Sequence, residues 1–129
     1  MSLARQHVLV VDDDPMILEI LSQQLESFGV GSIQTAEDGD SALAVLRMGN
    51  SSVTTLLSDV SMPGMDWPTF MQTLAEMRCQ AGIILISGAK KEILQGINDL
   101  GGALGLRMIG YLNKPVMPQT LRALLDPVP

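Results

Sequence analysis

The stretch "GIILIS" (82–87) carries four consecutive branched apolar residues between a glycine and a serine. A strand with one solvent-exposed face alternates apolar and polar residues, whereas this stretch has no polar residue before its final serine. Such a continuous run is typical of a strand that is buried on both faces, as the strands of parallel sheets are. The stretch therefore predicts a parallel sheet that is covered by helices on both sides.

Similar short strands alternate with longer amphipathic segments along the whole chain. Four more strands are predicted, at 7–11, 32–36, 53–58 and 108–112. Helices are predicted at 15–28, from a cap at Asp40 or Ser41 to Gly49-Asn50, and at about 68–78, 90–104 and 117–125. Asp14 and Asp66 are expected to cap the first and third of these helices. Five such units predict a doubly wound α/β sandwich, because right-handed crossovers place helices on both faces of a parallel sheet.

Length, charge and cysteine content restrict the class of protein. The 129 residues are 47% hydrophobic and 17% charged, which fits one globular domain. The formal net charge is −6 and the Lys and Arg residues are scattered apart from Lys90-Lys91, so a nucleic-acid-binding surface is not expected. No apolar stretch approaches the ~20 residues of a membrane helix, and no secretion leader is visible. The lone cysteine, Cys79, agrees with a reducing, cytoplasmic setting.

Polar residues follow the predicted strands at the points where the strands end. Four strand ends carry them: Asp12, Asp13 and Asp14 at the first, Asp59 at the third, Ser87 at the fourth and Lys114 at the fifth. The carboxyl ends of parallel strands share one edge of the sheet, where ligands bind. Clustered carboxylates repel each other unless a cation joins them, and oxygen ligands with open positions suit Mg²⁺. With a lysine and a hydroxyl that can bind phosphoryl oxygens, the set is typical of aspartyl-phosphate chemistry.

Four motifs occur in order, each at its expected strand: "VLVVDDDP", "LLSDVSMPGMD", "IILISG" and "YLNKPV". Together they resemble the receiver domain of two-component response regulators, over essentially the whole chain. The resemblance implies a flavodoxin-like (βα)5 sheet with strand order 2-1-3-4-5. It also implies a receiver domain at residues 5–126, with residues 1–4 as a tag or disordered start and 127–129 as the start of a linker.

The resemblance gives the acidic residues separate roles. Asp59 resembles the phospho-accepting aspartate, which also contacts the metal. Asp13 resembles a direct Mg²⁺ ligand and Asp12 a ligand that acts through water. The main-chain carbonyl of Ser61 resembles a further metal ligand, which the turn at Met62-Pro63-Gly64 would aim inward.

Four later residues match the parts that hold the phosphoryl group and transmit the signal. Ser87 and Lys114 match the hydroxyl and the lysine that bind it, Tyr111 matches the aromatic switch residue, and Pro115 matches a proline that follows a cis peptide bond. The implied donor is a phosphohistidine on a partner kinase or phosphotransfer protein. Phosphorylation would draw Ser87 inward and Tyr111 after it, which changes the face formed by the fourth helix, the fifth strand and the fifth helix. Such a domain turns over no separate substrate; this face would control an output domain or form a homodimer.

One departure from the family pattern is Trp67, which stands where the family usually has glycine after "MD". With Asp66 as the cap and Pro68 in the first turn of the helix, its ring is expected near the surface. The ring would either fold over its own helix or serve as an exposed docking anchor, since tryptophan is enriched at interface hot spots.

A second departure is the segment from Ser87 to Lys114, which is longer than the family norm by roughly one helical turn or more. The extra residues should lengthen the fourth helix or the loop after it. The stretch "INDLGGALGLRMIGYLNKPV" (97–116) is similar to that of receivers joined to EAL-type cyclic-di-GMP phosphodiesterase domains. The resemblance thus implies such a phosphodiesterase as one candidate output.

Two other functions remain open at this point. A haloacid-dehalogenase-like phosphatase also forms an aspartyl phosphate, and Asp12 with Asp14, Ser87 and Lys114 echo its motifs in order. That interpretation leaves Asp59 without a role, and phosphorylation of Asp12 would favour it. The third possibility is a degenerate receiver that is not phosphorylated and serves only for dimerisation, against which the intact acidic set with its lysine argues.

Overall fold

A computed structural model describes residues 3–48, 52–61, 64 and 66–126. Its strands are β1 (His7–Val11), β2 (Ser32–Ala36), β3 (Thr55–Asp59), β4 (Gly82–Ser87) and β5 (Arg107–Asn113). Its helices are α1 (Pro15–Phe28), α2 (Gly39–Arg47), α3 (Trp67–Glu76), α4 (Lys91–Ala103) and α5 (Pro118–Leu125). A 3₁₀ turn at Leu3–Arg5 precedes β1. Strands and helices therefore alternate as the sequence predicts.

The five strands form one parallel sheet in the order β2-β1-β3-β4-β5. This confirms the doubly wound, flavodoxin-like architecture and its strand order. The order reverses between β1 and β3, because β1 leads outward to β2 on one side and β3 leads to β4 and β5 on the other. Ligands of such sheets bind outside the carboxyl ends of the strands at this reversal. The functional site is therefore expected where Val11 and Asp59 end their strands.

Two apolar layers cover the two faces of the sheet. Successive strand residues alternate between them, as Leu56 and Leu57 do, since side chains along a strand point to opposite faces. One layer contains the buried side chains of α2, α3 and α4, and the other contains those of α1 and α5. The central strands are thus buried on both sides, as "GIILIS" indicates.

Local capping explains where the helices begin and end. Asp14 Oδ1 accepts the Met16 N–H at 2.9 Å, and the left-handed Gly29, with φ of 79°, ends α1, so the predicted cap and the predicted range 15–28 are confirmed. The cap predicted for α2 is wrong. Asp38, not Asp40 or Ser41, caps it by accepting the Ser41 N–H at 2.7 Å, and Gly39 starts the helix.

The third strand begins and ends later than the predicted 53–58. Its ladder with β1 starts where Thr55 pairs with Val8, and its last residue, Asp59, pairs with Ile86 of β4. The residue before it, Thr54, donates its N–H to the His7 carbonyl at 2.8 Å, and its hydroxyl accepts the His7 N–H at 2.9 Å. This shift places Asp59 inside the sheet and not in the loop that follows.

Trp67 is buried, with 4% of its surface exposed. Its ring packs on Phe70, one turn along α3, with ring centroids 5.1 Å apart, and both belong to the layer of α2, α3 and α4. Asp66 caps α3 as predicted, accepting the Thr69 N–H at 2.8 Å. The ring therefore packs along its own helix but inside the core, so the expectation of a ring near the surface and the interpretation of Trp67 as an exposed docking anchor are both wrong.

The remaining expectations concern the start of the chain and its longer segments. Leu3, which the sequence assigns to a tag or disordered start, is buried in the layer of α1 and α5; the domain boundary at residue 5 stays a prediction. The long segment after Ser87 forms a 13-residue α4, a short connection and β5, which has an irregular register opposite Ile83 and Ile84. Its excess over the family norm stays a prediction.

Several predicted features fall on residues outside the described ranges. These are the turn residues Met62 and Pro63, the helix end at Gly49-Asn50, and the linker at 127–129. Within the described ranges α2 already ends at Arg47. None of the helices described here combines the length and the apolar character that crossing a bilayer requires.

Candidate functional site

Three carboxylates meet at the carboxyl edge of the sheet, where the strand order reverses. Asp12 follows β1, Asp59 ends the neighbouring β3, and Asp13 lies beside them; one oxygen of each lies within 4.8 Å of the others. Asp12 is fully buried and Asp59 is 3% exposed, whereas Asp13 is exposed to solvent. The site therefore has a buried acidic floor and one solvent-facing carboxylate.

Lys114 directly follows β5, and its side chain reaches the two buried carboxylates. Its Nζ lies 2.9 Å from Asp12 Oδ2 and 3.3 Å from Asp59 Oδ2. The backbone positions it, because the Lys114 N–H donates to the carbonyl of Ser87 at 2.9 Å. The peptide bond between Lys114 and Pro115 is cis, as the resemblance implies. One ammonium thus bridges both buried carboxylates.

The other oxygen of each buried carboxylate accepts a local main-chain hydrogen bond. Asp59 Oδ1 accepts the Ser61 N–H at 3.1 Å, and Asp12 Oδ1 accepts the Asp14 N–H at 2.9 Å. Each side chain is therefore fixed at one oxygen by its own loop and at the other by Lys114. The Oδ2 atoms of both residues face the same point.

The surroundings of Asp59 raise the pKa of its carboxyl group. Burial is the main cause that raises its pKa, and the charge of Asp12 adds to it, while the Ser61 N–H and Lys114 act in the opposite direction. For Lys114, burial lowers the pKa, but the hydrogen bond to Asp12 and the charges of Asp59 and Asp12 outweigh it, so that its pKa is raised. Lys114 is therefore held as an ammonium, next to the Asp59 carboxylate, whose ionised form burial disfavours.

The Asp59→Asn variant should be more stable than the wild type near neutral pH. The raised pKa means that folded Asp59 binds its proton more tightly than the unfolded chain does, so this group lowers the free energy of unfolding as pH rises above about 4. The neutral amide has no such cost, and we expect a gain of about 1 kcal/mol near neutral pH. Urea unfolding without metal, followed by Trp67 fluorescence, measures it.

The comparison should be repeated near pH 4, where the wild-type carboxyl is increasingly protonated and the gain should shrink. Glu19→Gln, on the exposed face of α1, removes one negative charge elsewhere and is the matched control. A gain for Asp59→Asn that is equal at both pH values, or equal to that of Glu19→Gln, would contradict this account.

Ser87 ends β4 and Tyr111 lies on β5, and neither joins the hydrogen bonds of the acidic floor. Ser87 is 3% exposed, and its Oγ accepts the Ala89 N–H at 3.0 Å. Tyr111 is half-buried on β5, and its hydroxyl donates to Gln95 Oε1 at 2.8 Å. Within the described ranges, the structure therefore brings Asp12, Asp13, Asp59 and Lys114 together and shows no contact of Ser87 or Tyr111 with their side chains.

Two further residues that hold this region together could not be identified from the sequence. Asn113 Nδ2 donates to the carbonyl of Ala89 at 2.8 Å, which ties the loop after β4 to the end of β5. Gln95 holds the hydroxyl of Tyr111 from α4. Neither contact has a signal in the sequence, because each depends on how β5 and α4 lie against each other.

The donor set fits a hard divalent cation. Three carboxylates face a single ammonium, so the site keeps an excess of negative charge in a largely buried position. Oxygen atoms from few protein groups, with one side open to solvent at Asp13, leave positions for water and for a phosphoryl oxygen, which Mg²⁺ prefers. The arrangement can hold such a cation beside an oxygen nucleophile.

Comparison with known proteins agrees with this geometry. AruR, a transcriptional regulatory protein of Pseudomonas aeruginosa, is 36% identical over 116 residues, which are 88% of this chain and 45% of AruR. RocR, a cyclic di-GMP phosphodiesterase of the same organism, is 30% identical over 119 residues, 92% of this chain and 30% of RocR. The crystal structure of the chemotaxis protein CheY4 of Vibrio cholerae superposes with a TM-score of 0.79 at 29% identity, covering 98% of this chain and all of that one.

The chain thus spans less than half the length of these two curated relatives. The model of the response regulator receiver domain matches residues 8–126, which include each of the strand-end residues described above. This match argues against the haloacid-dehalogenase interpretation, which gives Asp59 no role. The chain belongs to the receiver domain family of two-component response regulators.

Proposed function

We propose that this receiver domain accepts a phosphoryl group on Asp59 from a phosphohistidine of a partner protein. The observation that carries the proposal is the position of the Asp59 carboxylate, which is buried between Lys114 and the acidic pair Asp12 and Asp13. The pKa of Asp59 is raised mainly because burial, and also the charge of Asp12, disfavours its ionised form. An acyl phosphate on Asp59 would add negative charge on the phosphoryl oxygens, which Lys114 is placed to offset.

The cofactor we propose is Mg²⁺, with Asp12, Asp13, Asp59 and the carbonyl of Ser61 as the groups that would hold it. When bound, Mg²⁺ would neutralise charge on the phosphoryl oxygens during transfer. Asp12 and Asp59 are pre-positioned for this because each is fixed at Oδ1 by a main-chain N–H. The exposed Asp13 would supply the ligand on the open side.

In the proposed reaction an Asp59 oxygen attacks phosphorus, an O–P bond forms, and the P–N bond to the donor histidine breaks. The leaving imidazole takes up the electron pair and, where needed, a proton from water. Lys114, already 3.3 Å from Asp59 Oδ2, pairs with a phosphoryl oxygen, and the Ser87 hydroxyl leaves Ala89 to donate to another. Hydrolysis of the acyl phosphate by water restores the carboxylate.

Incubation with acetyl phosphate and Mg²⁺ tests the proposal without any partner protein. We expect intact-mass spectrometry to show one added phosphoryl group on the wild type and none on Asp59→Ala. The added mass should disappear on treatment with hydroxylamine, which cleaves acyl phosphates. A wild type that gains no phosphoryl group would contradict the proposal and favour the degenerate, non-phosphorylated module.

Mg²⁺ should stabilise the folded domain. A ligand that binds only the folded state, at about ten times a millimolar dissociation constant, adds about 1.4 kcal/mol to the free energy of unfolding. Thermal unfolding in MgCl₂, compared with NaCl of equal ionic strength, measures the gain. Asp13→Asn should lose most of it; an equal gain in this variant would exclude Asp13 as a ligand.

An apolar patch beside the site suits the donor protein. Met16 and Ile20 of α1 are 68% and 44% exposed, and Met117 beyond β5 is 55% exposed. Ile20 lines a cleft of about 90 Å³ together with Lys114 and Val116, so this residue of the patch adjoins the site. A protein that brings a phosphohistidine to Asp59 must cover this rim, and we propose that the patch contacts it.

Ile20→Glu should therefore slow phosphotransfer from the partner but not from acetyl phosphate. Removing an apolar anchor and adding a charge at an interface weakens binding by about tenfold or more. Rates from a phosphorylated histidine protein and from acetyl phosphate should be compared in the same variant. Equal loss with both donors, or no loss with either, would contradict the placement of the partner.

We further propose that the face of α4, β5 and α5 passes the signal to an output domain or to a second copy of the domain. RocR and AruR suggest two outputs, a cyclic-di-GMP phosphodiesterase and a transcriptional regulator. The EAL-like character of residues 97–116 favours the phosphodiesterase. Because the proposed donor is a phosphohistidine protein of a two-component system, we propose that the domain works in the cytoplasm.

A further inference from the structure

A directed chain of hydrogen bonds holds Tyr111 to α4. The Tyr111 hydroxyl donates to Gln95 Oε1 at 2.8 Å, and Gln95 Nε2 donates to Asp99 Oδ1 at 2.8 Å. A carboxylate can only accept, so Asp99 fixes the amide of Gln95 with its carbonyl oxygen toward Tyr111. The opposite amide orientation would set two acceptors against each other. The phenol therefore has a pre-oriented acceptor on the surface of α4.

This chain lies next to the residue that the proposed phosphorylation would move. Tyr111 pairs with Leu85 across β4 and β5, and Ser87, two residues beyond Leu85, lies on the same face of the sheet. Ser87 Oγ is held by the Ala89 N–H, and Asn113 holds the Ala89 carbonyl. In this arrangement Ala89, in the loop after β4, is hydrogen-bonded to both Ser87 and Asn113, while the Tyr111 hydroxyl is hydrogen-bonded to α4.

We propose that Gln95, oriented by Asp99, is a positioning residue that holds the Tyr111 hydroxyl at the surface of α4 and thereby opposes the switch. The inference rests on the proposed function, because phosphorylation of Asp59 is what would draw Ser87 away from Ala89. Tyr111 can turn toward the space beside Ser87 only after its bond to Gln95 breaks. The side chain of Gln95 thus sets part of the balance between the two states.

The hydrogen bond from Tyr111 to Gln95 should affect the affinity of the site for a phosphoryl mimic through thermodynamic linkage. A contact that exists in only one of two states biases the equilibrium, and its loss must favour every ligand of the other state by the same factor. A solvent-accessible hydrogen bond of this kind corresponds to a change of about two- to tenfold. The variant Gln95→Met keeps the length and helix propensity of the side chain but removes the acceptor. It should bind a phosphoryl mimic more tightly than the wild type.

The single tyrosine of the chain makes a direct measurement possible. With ring-labelled tyrosine, NMR signals report on Tyr111 alone, with and without Mg²⁺ and beryllofluoride as the phosphoryl mimic. We expect ligand-free Gln95→Met to shift these signals toward their position in the beryllofluoride-bound wild type. The beryllofluoride concentration at half saturation should fall by about two- to tenfold.

Two controls separate this role from general damage to α4. Gln95→Glu combined with Asp99→Asn exchanges amide and carboxylate, which keeps an acceptor toward Tyr111 and should restore wild-type behaviour. In a Tyr111→Phe background, which lacks the hydroxyl, Gln95→Met should leave the affinity unchanged. Identical signals and affinities for Gln95→Met and a responding wild type would overturn this inference alone. A wild type that does not respond to beryllofluoride would overturn the proposed function and this inference with it.

Discussion

Lys114→Met should slow phosphorylation by acetyl phosphate by about 10²- to 10³-fold, the loss that follows removal of one charge-stabilising donor from a buried site. Lys114 Nζ is the positive group shared by the Oδ2 atoms of Asp12 and Asp59. Without it, the attacking carboxylate and the incoming phosphoryl oxygens would lose the protein's positive charge and leave Mg²⁺ alone to offset theirs. Methionine keeps the unbranched stem of the side chain and removes only its charge and donors.

The rate should be measured by intact-mass spectrometry over time at saturating Mg²⁺. Lys91→Met is the matched control, because Lys91 begins α4 and lies outside the acidic floor. Circular dichroism must show that the variant is folded, since loss of Lys114 leaves the buried Asp12 without its ion pair. A folded Lys114→Met that is phosphorylated as fast as Lys91→Met would remove Lys114 from the mechanism.

Trp67→Ala should lower the free energy of unfolding by about 3 kcal/mol or more, as large-to-small changes in protein cores do. The indole is almost fully buried and packs on Phe70 in the layer of α2, α3 and α4. An alanine would leave a cavity under the first turn of α3, directly after the loop from Asp59. Urea unfolding followed by circular dichroism measures the loss, because the chain has no other tryptophan.

Trp67→Phe is the matched control, since it keeps an aromatic ring on Phe70 and should lose much less stability. Met16→Ala, which shortens an exposed side chain of α1, should be nearly neutral. If Trp67→Ala unfolds like the wild type but binds its partner more weakly, the buried position is wrong and the docking-anchor interpretation returns.

The sequence predicts the frame of this domain because hydrophobic patterns are local. The continuous run 82–87 and the alternation of strands with helices indicate a parallel sheet, and the topology then brings Asp12, Asp59 and Lys114 to one edge. Three residues far apart in sequence thus meet within hydrogen-bonding or ion-pairing distance. Their residue types alone indicate the chemistry they can perform.

Other features depend on packing, which a sequence pattern does not contain. Trp67 is buried because the layer of α2, α3 and α4 has room for an indole over Phe70. The resemblance to the family alone could not decide whether this ring lies in the core or at the surface. The cap of α2 moves to Asp38 because that residue, with extended backbone, is the one that reaches the Ser41 N–H. The bond from Tyr111 to Gln95 joins residues on different elements and has no local signal.

The most direct test of the central claim is to locate the phosphoryl group on the chain. After phosphorylation with acetyl phosphate and Mg²⁺, borohydride reduces an aspartyl phosphate to homoserine, and peptide mass spectrometry identifies the modified position. We predict homoserine at position 59 alone, and none after treatment of Asp59→Ala. Homoserine at position 12, or no modified peptide from a folded wild type, would contradict the account.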